Sequence, residues 1–283
     1  MAAVGLIEIR RRMKSVTNTQ KITKAMGIVA TSKLKKVRVK LEGNKAYNDH
    51  FEDVKNHIVN SLEGNNLYTK KTGEGKTLYL VITSNLGLCG GYNINVVNEA
   101  IKALTDNKEN SILMVVGRKG KSYFNKFRIP IEKEFLNIDD DPKLENIKDI
   151  SNLILNLYKD KTINSVYIVY TRFVSTVKQE VETKKILPLQ ISDNVDLKYN
   201  FEFEISPNMM LEQMVEPYIN QKILNYLLNS KVSEQAARMT AMDGASKNAK
   251  DILDKLNTQY NRIRQSAITE EISEIIGGAE AQK

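Results

Sequence analysis

QKITKAMGIVATSKLKKVRVK, residues 20–40, combines a helical hydrophobic pattern with a strongly basic surface. The stretch holds seven Lys or Arg residues but no Asp, Glu or aromatic residue. In alternating steps of three and four residues, a seam of mostly apolar or small side chains extends from it in both directions: Leu6, Ile9, Met13, Val16, Gln20, Thr23, Gly27, Ala30, Leu34, Val37 and Leu41. This heptad spacing predicts a coiled-coil helix. Because the first proline is Pro130, we expect this helix to continue to about residue 62.

A second seam with the same spacing occupies the C-terminal part of the chain. Its positions are Leu211, Met214, Tyr218, Gln221, Asn225, Leu228, Val232, Gln235, Met239, Met242, Ser246, Ala249, Leu253, Leu256, Tyr260 and Ile263. Two long seamed helices in one chain most simply pack on each other. We therefore predict an antiparallel coiled coil of the N- and C-terminal helices.

The ends of the second helix carry their own signals. Asn208 after Pro207 predicts its start, and Pro217 predicts a kink in its first turns. A shift of register would carry the seam onward through Ile268, Ile272 and Ile275. Gly277 and Gly278 are residues that commonly end helices, so they predict the C-terminus of this one.

The middle of the chain has a different pattern. Strand-like apolar runs at 77–83, 111–117, 127–135 and 164–173 alternate with helical stretches near 93–106, 119–126 and 143–160. This alternation predicts a mostly parallel, open α/β (Rossmann-like) domain. The stretch 176–189 alternates apolar and polar residues, which predicts an edge strand paired back by a hairpin. We thus expect an N-terminal coiled-coil helix over 1–62, an α/β domain over 75–192 and a C-terminal coiled-coil helix over 208–283.

Composition narrows the class of protein. The mean hydropathy is −0.38, and no apolar run reaches the roughly 18 residues that a membrane-spanning helix needs. The N-terminal residues lack the pattern of a signal peptide, so we expect none. Cys89 is the only cysteine, which rules out an internal disulfide and suits a reducing compartment. His50 and His57 have no cysteine nearby and are read as surface histidines rather than metal ligands.

The positive charge is concentrated in one arm. Residues 1–41 carry eleven basic side chains against the single acid Glu8, a net charge of +10, while the whole chain carries +8. The remaining residues therefore sum to −2. The identity of a charged partner is consequently a question about this arm.

Three glycine-containing stretches could suggest a phosphate site. GEGKT (73–77) lacks the first glycine of a phosphate loop and precedes its strand, and VVGRKGKSYF (115–124) spaces its glycines too closely. GLCGG (87–91) does not match the dinucleotide-binding fingerprint. We expect these glycines to turn the chain at strand ends instead. Since no Ser-His or Cys-His arrangement is evident either, we predict no catalytic, cofactor-binding or metal-binding residues.

Three segments of the chain carry a family resemblance. Residues 15–36, SVTNTQKITKAMGIVATSKLKK, and residues 233–281, which begin SEQAARMTAMDGASKNAK, resemble the two ends of the gamma subunit of F-type ATP synthases. GLCGGYN (87–93) resembles the mid-chain motif of that family. One departure is that Asn85-Leu86 stands where the family usually has Asp-Arg, so any contact made by that arginine is in doubt.

The resemblance implies a function for the two helices. In this family the coiled coil is a rotor shaft inside a hexamer of alternating alpha and beta subunits. The α/β domain lies outside that head, on the membrane ring of c subunits and beside epsilon. Rotation of the ring, driven by H⁺ or Na⁺, turns the shaft, and catalysis occurs on beta. The implied location is the cytoplasmic face of the bacterial cell membrane, as a peripheral protein without bilayer insertion.

The resemblance also implies contacts with other subunits. Lys24, Met26 and Lys33 match positions that meet an acidic loop of beta, and Arg238, Gln265 and Thr269 match positions of the C-terminal helix that contact beta. Together with neighbouring charged residues, the predicted subunit contacts are Arg10, Arg11, Lys24, Met26, Lys33, Arg238, Arg264, Gln265, Thr269 and Glu271. Small residues are expected to keep the outer surface of the shaft slim: Ala25, Gly27, Ala30 and Ala46, with Ala236, Ala237, Ala241, Ala245 and Ala249 on the partner helix.

Two other classes of protein stay open at this stage. A nucleic-acid-binding coiled coil would use the same basic arm, but it would need aromatic or amide side chains among the charges to read bases. Residues 8–40 contain no Phe, Tyr or Trp. A dinucleotide-dependent enzyme would need the fingerprint that residues 87–91 lack.

Overall fold

The structure is a computed structural model that describes residues 2–62, 66–70, 73, 75–105, 110–142, 144–190 and 205–281. Its elements, in chain order, are α1 (Ala2–Asn60), β1 (Lys76–Ile82), α2 (Tyr92–Thr105), β2 (Ser111–Val116), α3 (Arg118–Lys126), β3 (Lys133–Phe135), α4 (Leu144–Lys159), β4 (Ile163–Phe173), β5 (Gln179–Leu187) and α5 (Pro207–Ala281). The chain divides into two compact units. We call Met1–Val29 with Met239–Lys283 the coiled-coil unit, and Ala30–Arg238 the α/β unit.

The α/β unit is built on a five-stranded sheet in the order β3-β2-β1-β4-β5. β1 lies between β2 and β4 and pairs with both in parallel, with Leu80 opposite Met114 on one side and Ile168 on the other. β5 pairs antiparallel with β4 and forms one edge. The predicted parallel sheet and its antiparallel edge hairpin are therefore confirmed.

Each face of the sheet has its own core because successive strand residues point to opposite sides. Leu78, Leu80 and Ile82 join a buried cluster with residues of α4 and of the α1 and α5 segments in this unit. Tyr79 and Val81 join a second cluster with residues of α2 and α3. Helices thus cover both faces, which is why the central strands read as continuous apolar runs.

The strand predicted over 127–135 is mostly wrong. Only Lys133–Phe135 forms a strand, pairing with the end of β2. Two backbone features oppose a longer ladder: Pro130 has no N–H to donate, and Arg128 adopts a φ of 56°. The edge strand at this side of the sheet is therefore short.

The coiled-coil unit confirms the predicted antiparallel pairing. A Cβ placed at Gly27 would lie 3.6 Å from the Cβ of Met242, and Arg10 donates a hydrogen bond of 3.0 Å to the Tyr260 hydroxyl. Residue numbers therefore rise on one helix as they fall on the other. Every predicted seam position up to Leu41 of α1 and Ile263 of α5 is buried or half-buried.

Two expectations about the end of α5 are wrong. Ile268, Ile272 and Ile275 are 46%, 52% and 71% exposed, so the shifted seam is not covered by this chain. Because the helices are antiparallel and Arg10 contacts Tyr260, the start of α1 at Ala2 falls opposite about residue 268. No part of α1 therefore lies opposite Ile272 or Ile275. The helix also continues through Gly277 and Gly278 to Ala281, and neither glycine adopts the positive φ of a helix-ending residue.

Some predictions stay untested. Pro217 lies inside α5, and the kink predicted there stays a prediction. The domain boundaries 1–62, 75–192 and 208–283 also stay predictions, since residues 63–65 and 191–204 fall outside the described part of the chain.

Candidate functional site

The glycines after β2 pack against the chain rather than facing a ligand. Gly117 has a φ of 96°, and a Cβ there would lie 2.4 Å from the Thr83 carbonyl oxygen. A Cβ on Gly120 would lie 2.6 Å from the Thr83 hydroxyl oxygen. Only glycine fits this close approach of α3 to the end of β1.

The first amides of α3 are already hydrogen bonded within the chain. Gly120 N–H donates to the Thr83 hydroxyl at 2.9 Å, and Lys119 N–H donates to the Ser84 carbonyl at 3.0 Å. Lys121 pairs with Glu134 at 2.7 Å. A phosphate would have to displace these partners, so the stretch does not form a phosphate cradle. Of the other stretch, GEGKT, Glu74 lies outside the described residues and Lys76 begins β1.

The loop containing Gly-Leu-Cys is held from several sides. The Ser84 hydroxyl donates to the Leu86 carbonyl at 2.6 Å, and Ser84 N–H donates to the Asn93 side chain at 3.0 Å. Arg238 of α5 donates to the Leu86 carbonyl at 3.0 Å and to the Gly87 carbonyl at 3.3 Å. The arginine therefore fixes the loop to α5.

Cys89 in this loop is buried, 2% exposed. Burial raises the pKa of its thiol, with the nearby Arg238 opposing that effect. Because thiolate is the reactive form, this cysteine is a packing residue rather than a nucleophile.

Asn85 and Leu86 differ in their surroundings. The Asn85 side chain donates to the Ile138 carbonyl at 2.9 Å and accepts from Arg118 N–H at 3.2 Å. Leu86 is 64% exposed. Asn85 thus joins the loop to its neighbours, while Leu86 presents an apolar side chain to solvent.

The basic arm is only partly unpaired. Lys33 donates to Asp140 at 2.7 Å, Lys36 lies 3.9 Å from Asp141, and Lys40 also pairs with Asp141. Arg38 pairs with Glu42 four residues on. Arg10 is exposed and contacts the Tyr260 hydroxyl and ring. Among the described residues, the arm's other exposed cations without a carboxylate partner are Arg11, Arg12, Lys14, Lys21, Lys24 and Lys35, which we call the unpaired basic set.

The predicted subunit-contact residues do not share one environment. In the coiled-coil unit Met26 is half-buried, and the exposed members are Arg10, Arg11, Lys24, Arg264, Gln265, Thr269 and Glu271. In the α/β unit Arg238 is only 6% exposed and Lys33 is paired with Asp140. These last two residues already have partners inside the chain, and the subunit contacts predicted for all ten stay predictions.

The small residues of the two helices mostly do not form an outer surface. Ala30, Ala236 and Ala249 are buried and Gly27 is half-buried against Met242, whereas Ala25 and Ala46 are exposed. The expectation of a slim outer face is therefore wrong for the buried ones. Small side chains at these seam positions let the chain pack closely against itself.

Two clusters of charged residues that include buried lysines were not predicted from the sequence. Glu52 lies between Lys55 and Lys222, and Asp140 lies between Lys33 and Lys231. The acidic run at 139–141 facing a basic arm was the one available signal for the second cluster, through charge complementarity. Within the described residues, no group of three or more His, Cys, Asp or Glu could hold a metal ion, and no helix is long and apolar enough to cross a membrane.

Comparison with known proteins assigns the chain to a family. A family model described as ATP synthase matches residues 5–282. The ATP synthase gamma chain of Clostridium novyi is 52% identical over 286 residues, covering 100% of both chains. The chain belongs to the ATP synthase gamma chain family. The gamma chains of Clostridium kluyveri and Clostridium pasteurianum are 50% and 48% identical over 283 residues.

Solved structures of mitochondrial ATP synthases contain chains with the same fold. A chain of the Tetrahymena thermophila mitochondrial ATP synthase central stalk and c-ring superposes with a TM-score of 0.61 at 25% identity, covering 80% of this chain and 99% of that one. A chain of the Euglena gracilis mitochondrial ATP synthase gives a TM-score of 0.71 at 17% identity, covering 99% and 95%. Gamma chains are non-catalytic subunits, so the exposed surfaces of the two helices, rather than the glycine loops, are the candidate functional site.

Proposed function

We propose that this chain is the central rotor shaft of an ATP synthase, coupling rotation of the membrane c-ring to ATP synthesis or hydrolysis on the beta subunits. The observation that carries the proposal is the antiparallel pair of helices with exposed, unpaired basic side chains, in a chain that matches gamma chains over its whole length. Catalysis takes place in the beta subunits, and this chain supplies the moving surface.

The seam gives the shaft its mechanical character. A helix pair with packed side chains along its contact resists twisting and bending better than one helix, because each movement must break contacts on both helices. Met242, Ala249 and Leu256 of α5 are each 5% exposed within this seam. The two helices therefore turn together.

The outer face of α1 offers both charge and apolar surface. Ile22, Ile28 and Val29 are 59%, 65% and 54% exposed, and Lys21 and Lys24 lie among them. Such a face differs from the other sides of the shaft in bulk and charge. We infer that each beta conformation prefers one rotor face, so that turning the shaft shifts the populations of open and closed sites.

The unpaired basic set suits acidic loops of the head. Exposed ion pairs contribute about 0–1 kcal/mol each. At physiological salt the attraction between exposed charges decays over a Debye length of about 8 Å. No single pair of this kind would hold the rotor at one angle. Several weak contacts acting together can nevertheless favour correct seating of the shaft.

The remaining assignments belong to the same proposal. We place the chain on the cytoplasmic face of a bacterial membrane, peripheral to the bilayer, with epsilon and the c-ring as further partners. In the coiled-coil unit, the exposed or half-buried positions that we expect to meet the alpha–beta hexamer are Arg10, Arg11, Lys24, Met26, Arg264, Gln265, Thr269 and Glu271. The basic arm serves a protein surface and not a nucleic acid.

Co-purification with this chain as bait tests the proposal. We expect alpha, beta and epsilon subunits to be retained, and the mass of the intact complex to match one copy of this chain per hexamer. A gel-shift assay on the same preparation examines nucleic-acid binding. Retention of DNA or RNA without the hexamer would contradict the rotor function and support the nucleic-acid alternative.

A further inference from the structure

The segment between β3 and α4 lies against both long helices of the α/β unit. Asp140 in this segment accepts a hydrogen bond of 2.7 Å from Lys33 of α1. Its other oxygen lies 3.5 Å from the ammonium of Lys231 and 3.5 Å from the amide of Gln235, both on α5. One carboxylate thus joins three parts of the chain that are far apart in sequence.

The contacts continue from Asp140 through α5 to the Gly-Leu-Cys loop. Lys231 lies 3.4 Å from Glu234, and Glu234 accepts from Arg238 at 2.8 Å. Arg238 in turn donates to the carbonyls of Leu86 and Gly87. The side chains of Lys231, Glu234 and Arg238 are only 4%, 4% and 7% exposed, so water screens this part of the network weakly.

A second connection closes the network into a ring. Asn85, in the same loop, donates to the carbonyl of Ile138, two residues before Asp140. Each of three elements is therefore linked to the other two: the segment 136–142, helix α5 and the loop 84–91. Lys33 attaches α1 to this ring at Asp140.

We propose that Asp140 is a positioning residue that locks the α/β domain, residues 75–192, in place against α1 and α5. Torque would then pass between this domain and the two helices through Asp140. This inference rests on the rotor function proposed above. In a shaft under load, the domain that receives force must not slip against the helices that deliver it. A charge that both helices hold opposes slippage in more than one direction.

The surroundings of Asp140 favour its charged form. Burial raises the pKa of its carboxyl, but Lys33 and Lys231 lower it by more, so the pKa lies below the usual range. The neighbouring Asp141 pairs with Lys36 and Lys40, whose side chains are 69% and 43% exposed. The Lys33 side chain is also 43% exposed, but the second cation of Asp140, Lys231, is only 4% exposed. A pair with a buried cation is screened less than an exposed pair, so we assign the locking role to Asp140.

The test uses the complete membrane-bound ATP synthase carrying Asp140→Asn in this chain. Asp139→Asn is the matched control, because Asp139 is the exposed neighbour and the change is the same. Two quantities are measured: the rate of ATP hydrolysis by the detached head with its shaft, and the number of ions pumped per ATP hydrolysed in membranes. We expect Asp140→Asn to leave the first unchanged and to lower the second, while Asp139→Asn changes neither.

A conservative variant and a structural readout separate locking from simple loss of folding. Asp140→Glu keeps the charge and should restore most of the pumping ratio. Amide hydrogen exchange in the assembled complex should become faster in both 136–142 and 84–91 for Asp140→Asn, since the loop is joined to the segment through Arg238 and Asn85. Asp139→Asn should leave exchange in both regions unchanged.

Should Asp140→Asn fail to assemble, Lys33→Gln attacks the same contact from α1, with Lys45→Gln as its exposed control. A lower pumping ratio together with faster amide exchange in 136–142 for Lys33→Gln than for Lys45→Gln supports the lock, since loss of a contact with beta alone would leave exchange in that segment unchanged. An Asp140→Asn enzyme that pumps and exchanges like Asp139→Asn overturns it, as does a Lys33→Gln enzyme that pumps like Lys45→Gln. Failure of the wild-type complex to couple hydrolysis to pumping would instead overturn the rotor function.

Discussion

Gly120 and Thr83 show how closely α3 approaches the end of β1. The Gly120 amide donates to the Thr83 hydroxyl, and a Cβ at Gly120 would lie 2.6 Å from that hydroxyl and 2.7 Å from a methyl group of Val115. All three residues are buried. A glycine that resembles part of a phosphate loop is therefore required for packing.

Gly120→Ala should destabilise the α/β unit by about 1–3 kcal/mol, because the added methyl group has no space. Gly43→Ala is the matched control: Gly43 is exposed on α1, with nothing within 4 Å of an added Cβ. That change should stabilise the chain by up to about 1 kcal/mol through helix propensity. Urea unfolding of the isolated chain measures both, and equal midpoints for the two variants would show that Gly120 is not packed as described.

At the scale of elements, Glu52 of α1 holds two buried cations. It lies 2.9 Å from Lys55 on its own helix, pairs with Lys222 of α5 and accepts a hydrogen bond of 3.0 Å from the Tyr218 hydroxyl. The side chains of Lys55 and Lys222 are 4% and 9% exposed. Burial lowers the pKa of Lys222, and Glu52 opposes that shift. The two helices therefore depend on this carboxylate where they pack in the α/β unit.

Glu52→Gln should lower the free energy of unfolding by about 3 kcal/mol, since both cations would stay buried without a counter-charge. Asp53→Asn, a matched change at the exposed neighbour, should stay within about 0.5 kcal/mol of wild type. Chemical unfolding at neutral pH with both variants is the measurement. A Glu52→Gln chain as stable as Asp53→Asn would contradict the role given to Glu52.

The same carboxylate predicts a pH dependence. Burial raises the pKa of Glu52, but Lys222 and Lys55 lower it by more, so the pKa lies below its ordinary value of 4.5. The stabilisation is therefore complete above that ordinary value and is lost as the pH falls through the lower, folded-state pKa. Unfolding free energy measured as the pH is lowered below 4.5 should fall less steeply for Glu52→Gln than for wild type.

The elements that could be predicted from sequence are those set by short-range periodicity. The seams of α1 and α5 depend on spacings of three and four residues, and Leu34, Val37 and Leu256 are buried as that spacing requires. Asp140 and Lys33 are 107 residues apart, and only the folded chain brings them together. Ile268 and Ile272 continue the apolar spacing but are exposed. The spacing alone does not show whether this chain supplies a helix that covers them.

For the whole molecule, the charge of the arm divides into a paired and an unpaired group. Lys33, Lys36 and Lys40 face Asp140 and Asp141 within the chain, whereas the unpaired basic set has no carboxylate partner among the described residues. Attraction to the head should therefore come from the unpaired set.

Replacing all six residues of the unpaired basic set by glutamine should weaken assembly with the alpha–beta hexamer, most visibly at low ionic strength, where the wild-type attraction is least screened. Replacing Lys36 alone should change assembly little, because an exposed pair contributes about 0–1 kcal/mol. Reconstitution titrations of the shaft into the hexamer at low and high salt measure both. Wild-type affinity of the sextuple variant at both salts would show that the basic face does not guide assembly.

In the proposed function the chain turns inside the head during catalysis. This rotation can be observed directly. A bead attached to the α/β domain of a single complex, with the hexamer fixed to a surface, should rotate in one direction when ATP is added and stop when ATP is removed. Hydrolysis by the same hexamer with the bead showing only undirected fluctuation would contradict the rotor function.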